Sequence, residues 1–148
     1  QNYATSNFIN RFAKPILQFG DSSHFWQKFT GTSDNDIDLK KAGIFPIVHG
    51  VRTLSLEQGI EVTNTRRRLR ELVNQHVLDD TTATNLADAL DFFLAKRLEA
   101  ALTTTDKSAW KVNPHDLSAM DKDLLKEALA IVKDFKALIT LRYRLDIF

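Results

Sequence analysis

Apolar positions recur at intervals of three and four along most of the chain, and they divide it into helices. Between residues 5 and 19, Phe8, Ile9, Phe12, Ile16, Leu17 and Phe19 share one helical face, which Pro15 bends or interrupts. Gly20-Asp21-Ser22-Ser23 is a break, His24 to Phe29 a short aromatic element, and Gly31 to Asp36 the most loop-like run, the best candidate for a mobile edge. A helix is predicted from Phe45 or Pro46, with Ile47, Val48, Val51, Leu54 and Leu56 on its buried side and Gly59 at its end. Thr63 or Thr65 is the expected cap of the next helix, which runs through Leu69, Leu72 and Val73 to about Gln75. Asp79 or Asp80 caps a long helix to about Leu102, with Leu86, Leu90, Phe93, Leu94, Leu98 and Ala101 in rhythm. Thr103 to Pro114 is a polar connector with Trp110 and Val112 turned inwards. Ser118 with Asp121 forms a capping box carrying Asp in place of Glu, and it opens a last helix through Leu125, Ala128, Val132, Phe135 and Ile139 to about Leu145. Strand signals are almost absent, and no hairpin dipeptide occurs. The prediction is an all-α fold, an antiparallel bundle of about five helices.

One domain accounts for the 148 residues, with the N-terminal helix and aromatic loop in 1–35 and the core bundle in 36–148. Hydrophobic content of 43% with 26% charged residues is that of a globular protein rather than a disordered one. A net charge of +1 gives no global pull towards nucleic acid or membrane. The absence of cysteine excludes a disulfide scaffold, a thiol nucleophile and a cysteine zinc site, and it fits a cytoplasmic location. No apolar run is long enough to span a bilayer, and Gln1 to Thr5 is not a signal peptide. A start at Gln1 without Met leads us to expect a piece of a longer chain. A domain separated from its neighbour could expose an apolar patch and pair with itself.

Chemistry concentrates between Asp36 and Arg52. The four histidines, His24, His49, His76 and His115, are scattered, with no pair four apart on one helix, so no metal site is expected. Asp36 and Asp38 have the spacing of the metal-binding acids of nucleotidyltransferases, but no Gly-Ser phosphate turn precedes them, and helix-entry capping is the better reading. Arg66, Arg67, Arg68 and Arg70 lack interleaved aromatic residues and are offset by Glu61, Glu71, Asp79 and Asp80. They read as a solvated or docking face more than a nucleic-acid site, with phosphate contact the minority reading. His49 and Arg52, three apart, share a helix face and suit either a satisfied core pair or an anion site. No catalytic elbow, Walker loop or dinucleotide fingerprint is present.

The run Asp38-Leu39-Lys40 followed by Gly43-Ile44-Phe45-Pro46-Ile47-Val48-His49-Gly50-Val51-Arg52 resembles the hallmark segment of the nucleotidyltransferase substrate-binding domain, the helical C-terminal domain of the DUF294 family. The resemblance continues at Thr63-Asn64-Thr65 with Arg68-Leu69 and Leu72, at Leu86 to Leu90 with Phe93-Leu94 and Arg97-Leu98, and at Leu124 to Leu129. It covers about residues 7 to 145. One departure follows Arg97-Leu98, where the family often has a polar His-Gln or similar pair and this chain has Glu99-Ala100-Ala101. If that face contacts substrate in relatives, the contact here is weaker or different.

The resemblance implies a supporting bundle, similar to that of kanamycin nucleotidyltransferase, in a bacterial signal-transduction protein with cyclic-nucleotide-binding and CBS domains. The catalytic residues, the nucleoside triphosphate and its Mg would belong to a preceding polymerase-β-type domain, so no catalytic residue and no cofactor is assigned to this chain, and no activity to it alone. The parent protein would resemble the protein uridylyltransferases. Carried onto this sequence, the motif positions give Lys40, His49, Arg52, Arg68 and Arg97 as candidate substrate-binding residues, with Asp38 and Thr65 fixing structure. The expected partners are the upstream catalytic domain and a protein substrate. Two readings stay open: a substrate-binding half of a nucleotidyltransferase, or a regulatory interaction module that relays ligand state and binds no substrate. Separately, Lys40, His49 and Arg52 either line the side of the cleft facing the catalytic domain or form a polar network that fixes the loop against the bundle.

Overall fold

The computed structural model describes residues 3–18, 36–103 and 110–145. It is an all-α helical bundle with one very small sheet. Helix α1 (Tyr3–Ala13) and the short α2 (Pro15–Gln18) come first, then strand β1 (Ile37–Asp38), a π-helical turn (Lys40–Ile44) and α3 (Phe45–Glu57). Helices α4 (Thr65–Asn74) and α5 (Asp80–Thr103) follow, then β2 (Lys111–Val112), a 3₁₀ turn (Pro114–Asp116) and α6 (Ala119–Tyr143). The aromatic element at 24–29 and most of the loop at 31–36 lie outside the described residues.

Local chemistry sets most boundaries. Asp79 accepts the Thr82 N–H at 2.6 Å and so starts α5, and Ser118 accepts the Asp121 N–H at 3.1 Å and starts α6, each filling an orphan donor of a first turn. Helix α3 ends where Gly59 takes φ +69°, the left-handed conformation that suits a residue without Cβ. The α4 cap differs from the expectation. Asn64, not Thr63 or Thr65, accepts from Arg66 N and Arg67 N at 3.0 and 3.2 Å, and Thr65 is the first helical residue. Asn and Thr are both good caps, and hydrophobic spacing does not separate neighbouring candidates.

The π-helical turn has a local cause. Asp38 Oδ1 accepts the N–H groups of Lys40 and Lys41 at 2.9 and 3.0 Å and so caps the entry. Downstream, Phe45 N–H reaches Lys40 O, five residues back, and Pro46 beside it has no N–H to offer Ala42 O and so cannot pull the turn back to the four-residue spacing. The wider turn runs straight into α3.

Fully buried Phe93 of α5 and Phe135 of α6 lie near the centre of the core, with Ile47, Val51 and Leu54 of α3, Leu72 of α4 and Leu125 and Ile139 of α6. Helices α5 and α6 are antiparallel: Lys96 near the end of α5 bonds Asp121 at the start of α6 at 2.5 Å. Helix α3 also opposes α5, since Gly43 meets the Phe93 ring while Gly50 meets Phe135 of α6. It therefore runs alongside α6, and the Glu57 carboxylate accepts from Arg142 at 3.2 and 3.3 Å at their shared end. The two-stranded ladder pairs Ile37 with Val112 and Asp38 with Lys111, and it pins the α5–α6 connector against the entrance to α3.

Candidate functional site

The candidate residues fall into two pairs and one residue set apart. Lys40 and Arg97 meet at Trp110. The Arg97 guanidinium carbon lies 3.7 Å from the indole centroid and Lys40 Nζ lies 5.6 Å from it. Both side chains are exposed, Trp110 is half-buried, and among the described residues neither cation makes an ion pair. The β1–β2 ladder explains the meeting, because it fixes Lys111 opposite Asp38, two residues before Lys40.

Arg52 of α3 and Arg68 of α4 form the second pair. Arg68 donates from Nε to the Val62 carbonyl at 2.8 Å and is half-buried. Burial, and then the positive charge of Arg52, lower its pKa from the ordinary arginine value. No ion pair to either is found among the described residues, whereas Arg66, two residues before Arg68, is paired with Asp91 of α5. At 1.5 Å per residue, the twelve residues from Lys40 to Arg52 put the pairs on the order of 15 Å apart along the helix direction.

His49 stands between the pairs and is committed to the fold. Its ring stacks on Phe12 at 4.5 Å and on Phe45 at 4.9 Å between centroids. Its Nε2 is 2.5 Å from the Phe12 carbonyl, an acceptor, so Nε2 carries the proton and donates. Phe12 is in the last turn of α1, where carbonyls lack helical partners, and the histidine ties that end to α3. The His49 carbonyl in turn accepts the hydroxyl of buried Thr53 at 2.8 Å. The structure does not bring His49 and Arg52 together onto one ligand-facing surface with Lys40.

Asp38 and Thr65 hold the positions described above, at the π-helical entry and the first turn of α4. Among the described residues no group of three or more His, Asp or Glu could hold a metal ion, and no helix is long and apolar enough to cross a membrane. Sequence reasoning missed the part Trp110 plays, reading it only as a connector residue turned inwards. Its signal was an aromatic side chain in a polar connector, next to Lys111.

The described residues thus form a helical bundle in which Lys40 and Arg97 meet over Trp110 and Arg52 lies near Arg68. The family profile described as "Putative nucleotidyltransferase substrate binding domain" matches residues 6–143, and the chain belongs to that family, DUF294_C. No curated protein and no solved structure matches the chain.

Proposed function

We propose that this chain is the substrate-binding and scaffolding half of a nucleotidyltransferase-like signal-transduction protein of the bacterial cytoplasm. A separate polymerase-β-type domain would pack beside it and hold the nucleoside triphosphate and Mg. The observation that carries the reading is the meeting of two cations from distant segments, Lys40 and Arg97, at Trp110, with no carboxylate partner among the described residues; Arg52 and Arg68 add a second cationic locality on α3 and α4. Two like charges held together cost electrostatic energy, which an anionic ligand repays by bridging them. The ligand is the phosphate-bearing donor or an acidic face of the protein acceptor. Cyclic-nucleotide and CBS domains elsewhere in the parent would supply the signal.

Arg52→Ala tests this. Arg52 is exposed and makes no ion pair among the described residues, so its loss changes stability by no more than about 0.5 kcal/mol. Titration calorimetry with ATP or UTP, beside thermal unfolding, then separates the two readings. Weaker binding at an unchanged melting temperature supports a ligand role. Unchanged binding with a large drop in melting temperature means that the arginine is structural.

A further inference from the structure

The Lys40–Trp110–Arg97 cluster differs from an ordinary surface charge cluster in that one ring organises two cations. A guanidinium carbon 3.7 Å from an indole centroid lies over the ring face, since edge contact would place it much farther away. A guanidinium resting on a ring keeps its N–H groups in its own plane, where they remain free to bond outward as a fork. Lys40 Nζ, at 5.6 Å from the same centroid, is within cation–π range and is a compact point charge beside that fork.

The carboxylates two residues from each cation are engaged: Asp38 Oδ1 accepts the backbone N–H groups of Lys40 and Lys41, and Glu99 is paired with Lys96. Lys41 is exposed, and exposed Lys111 stands opposite Asp38 in the ladder. Three elements supply the cluster: Lys40 opens the π-helical turn, Trp110 directly precedes β2, and Arg97 belongs to α5.

We infer that Lys40, Arg97 and Trp110 form a receptor for a chain of phosphoryl groups, the part shared by nucleoside triphosphates and inorganic polyphosphate. This inference rests on the anion-binding reading above and names both the ligand chemistry and the ring that prepares the site. A single carboxylate can occupy the arginine fork but leaves the lysine unused. Successive phosphoryl groups carry charge along a line, so that one accepts the bidentate fork while its neighbour meets the ammonium. Trp110 serves as a positioning residue: it sets the direction of the fork and lowers the cost of holding two cations together.

The test uses the ¹⁵N-labelled chain, with the Trp110 indole N–H signal assigned by comparison with Trp26→Phe. The probes are inorganic tripolyphosphate, ATP and, as a polycarboxylate of similar charge, citrate. Tripolyphosphate and ATP are expected to shift the Trp110 indole and Arg97 Nε–H signals saturably and to compete, with citrate weaker by about tenfold. Arg97→Gln should weaken tripolyphosphate binding by roughly tenfold or more. Trp110→Leu should weaken it by about two- to fivefold, and Trp110→Phe, which keeps a ring face, should restore part of that loss. Retained dispersion of the amide spectrum shows that each variant is folded. If Trp110→Leu unfolds, Arg97→Gln decides alone. Shifts confined to the surroundings of Arg52 and Arg68 would overturn this inference and leave the broader reading standing. Citrate binding as tightly as tripolyphosphate would overturn it in favour of a polycarboxylate or acidic-protein ligand. No saturable shift anywhere would sink both.

Discussion

Gly50 offers a direct test of how the His-Gly-Val-Arg segment is held against the rest of the bundle. A methyl group at this position would stand 2.9 Å from Phe135 Cζ and closer still to Cε2, inside the distance that real Cβ contacts respect. Phe135 is 2% exposed, so its ring cannot swing into solvent to make room. Over-packing of this kind costs about 1–3 kcal/mol. In an open helical position the same Gly→Ala change stabilises by about 1 kcal/mol, which offsets part of that cost. The expected net effect of Gly50→Ala is a loss of up to about 2 kcal/mol, read as a fall of up to roughly 8 °C in melting temperature. Shortening the ring relieves the clash, so Gly50→Ala with Phe135→Leu should be more stable than the sum of the single changes by about 1 kcal/mol or more. Thermal and urea unfolding of the four proteins in this cycle measure the coupling. A Gly50→Ala protein that melts higher than the wild type, with no coupling to Phe135, would refute the close approach of α3 to α6.

Two further outcomes follow from single contacts. His49→Phe keeps the stack on Phe12 and Phe45 but leaves the Phe12 carbonyl without its donor, for a loss of about 1–2 kcal/mol, whereas His49→Ala also opens a gap between the rings and should cost about 2–4 kcal/mol in chemical unfolding. Asp79 is held below the usual carboxylate range by its side-chain and backbone hydrogen bonds with Thr82, so its contribution is present above the unfolded carboxylate pKa and is lost as pH falls through the lower folded value. Asp79→Ala should therefore melt below the wild type at neutral pH, and the difference should shrink as the pH drops through and below the ordinary carboxylate range.

The helices were legible because apolar residues at three- and four-residue spacing must face a common core. Phe93 and Phe135, both read from that rhythm, are fully or almost fully buried. The features that escaped leave no periodic apolar signal. The π-helical turn needs both the Asp38 cap and the missing Pro46 donor, and the two-residue strands are too short to show any alternation. Exposed Leu94 and Leu98 show the converse: they keep the helical rhythm of α5 yet lie on its open side, because periodicity marks a face without saying what covers it.

The candidate residues were legible through the family motif, but their grouping was not. Lys40 and Arg97 are 57 positions apart and meet only because the ladder brings Trp110 between them. His49 and Arg52, three apart on one helix, take different surroundings: the histidine faces α1 and the arginine lies beside Arg68 of α4. A difference of three positions still turns a helical side chain by about 60°, enough to reach a different neighbour at the edge of a buried face. The glycines of the motif have a packing reason that a lone sequence hides. Gly43, like Gly50, lies under a core ring, with Phe93 Cζ at 2.5 Å from an added Cβ.

The measurement that bears most directly on the account is a backbone-amide and arginine side-chain NMR titration of this chain with ATP, UTP and GTP, each with and without magnesium. The account predicts saturable shifts clustered at Lys40, Trp110 and Arg97 and at Arg52 and Arg68, with His49 and Phe12 moving little because their bond belongs to the fold. No saturable shift at millimolar nucleotide, or shifts centred on His49 while both cation pairs stay silent, would contradict it.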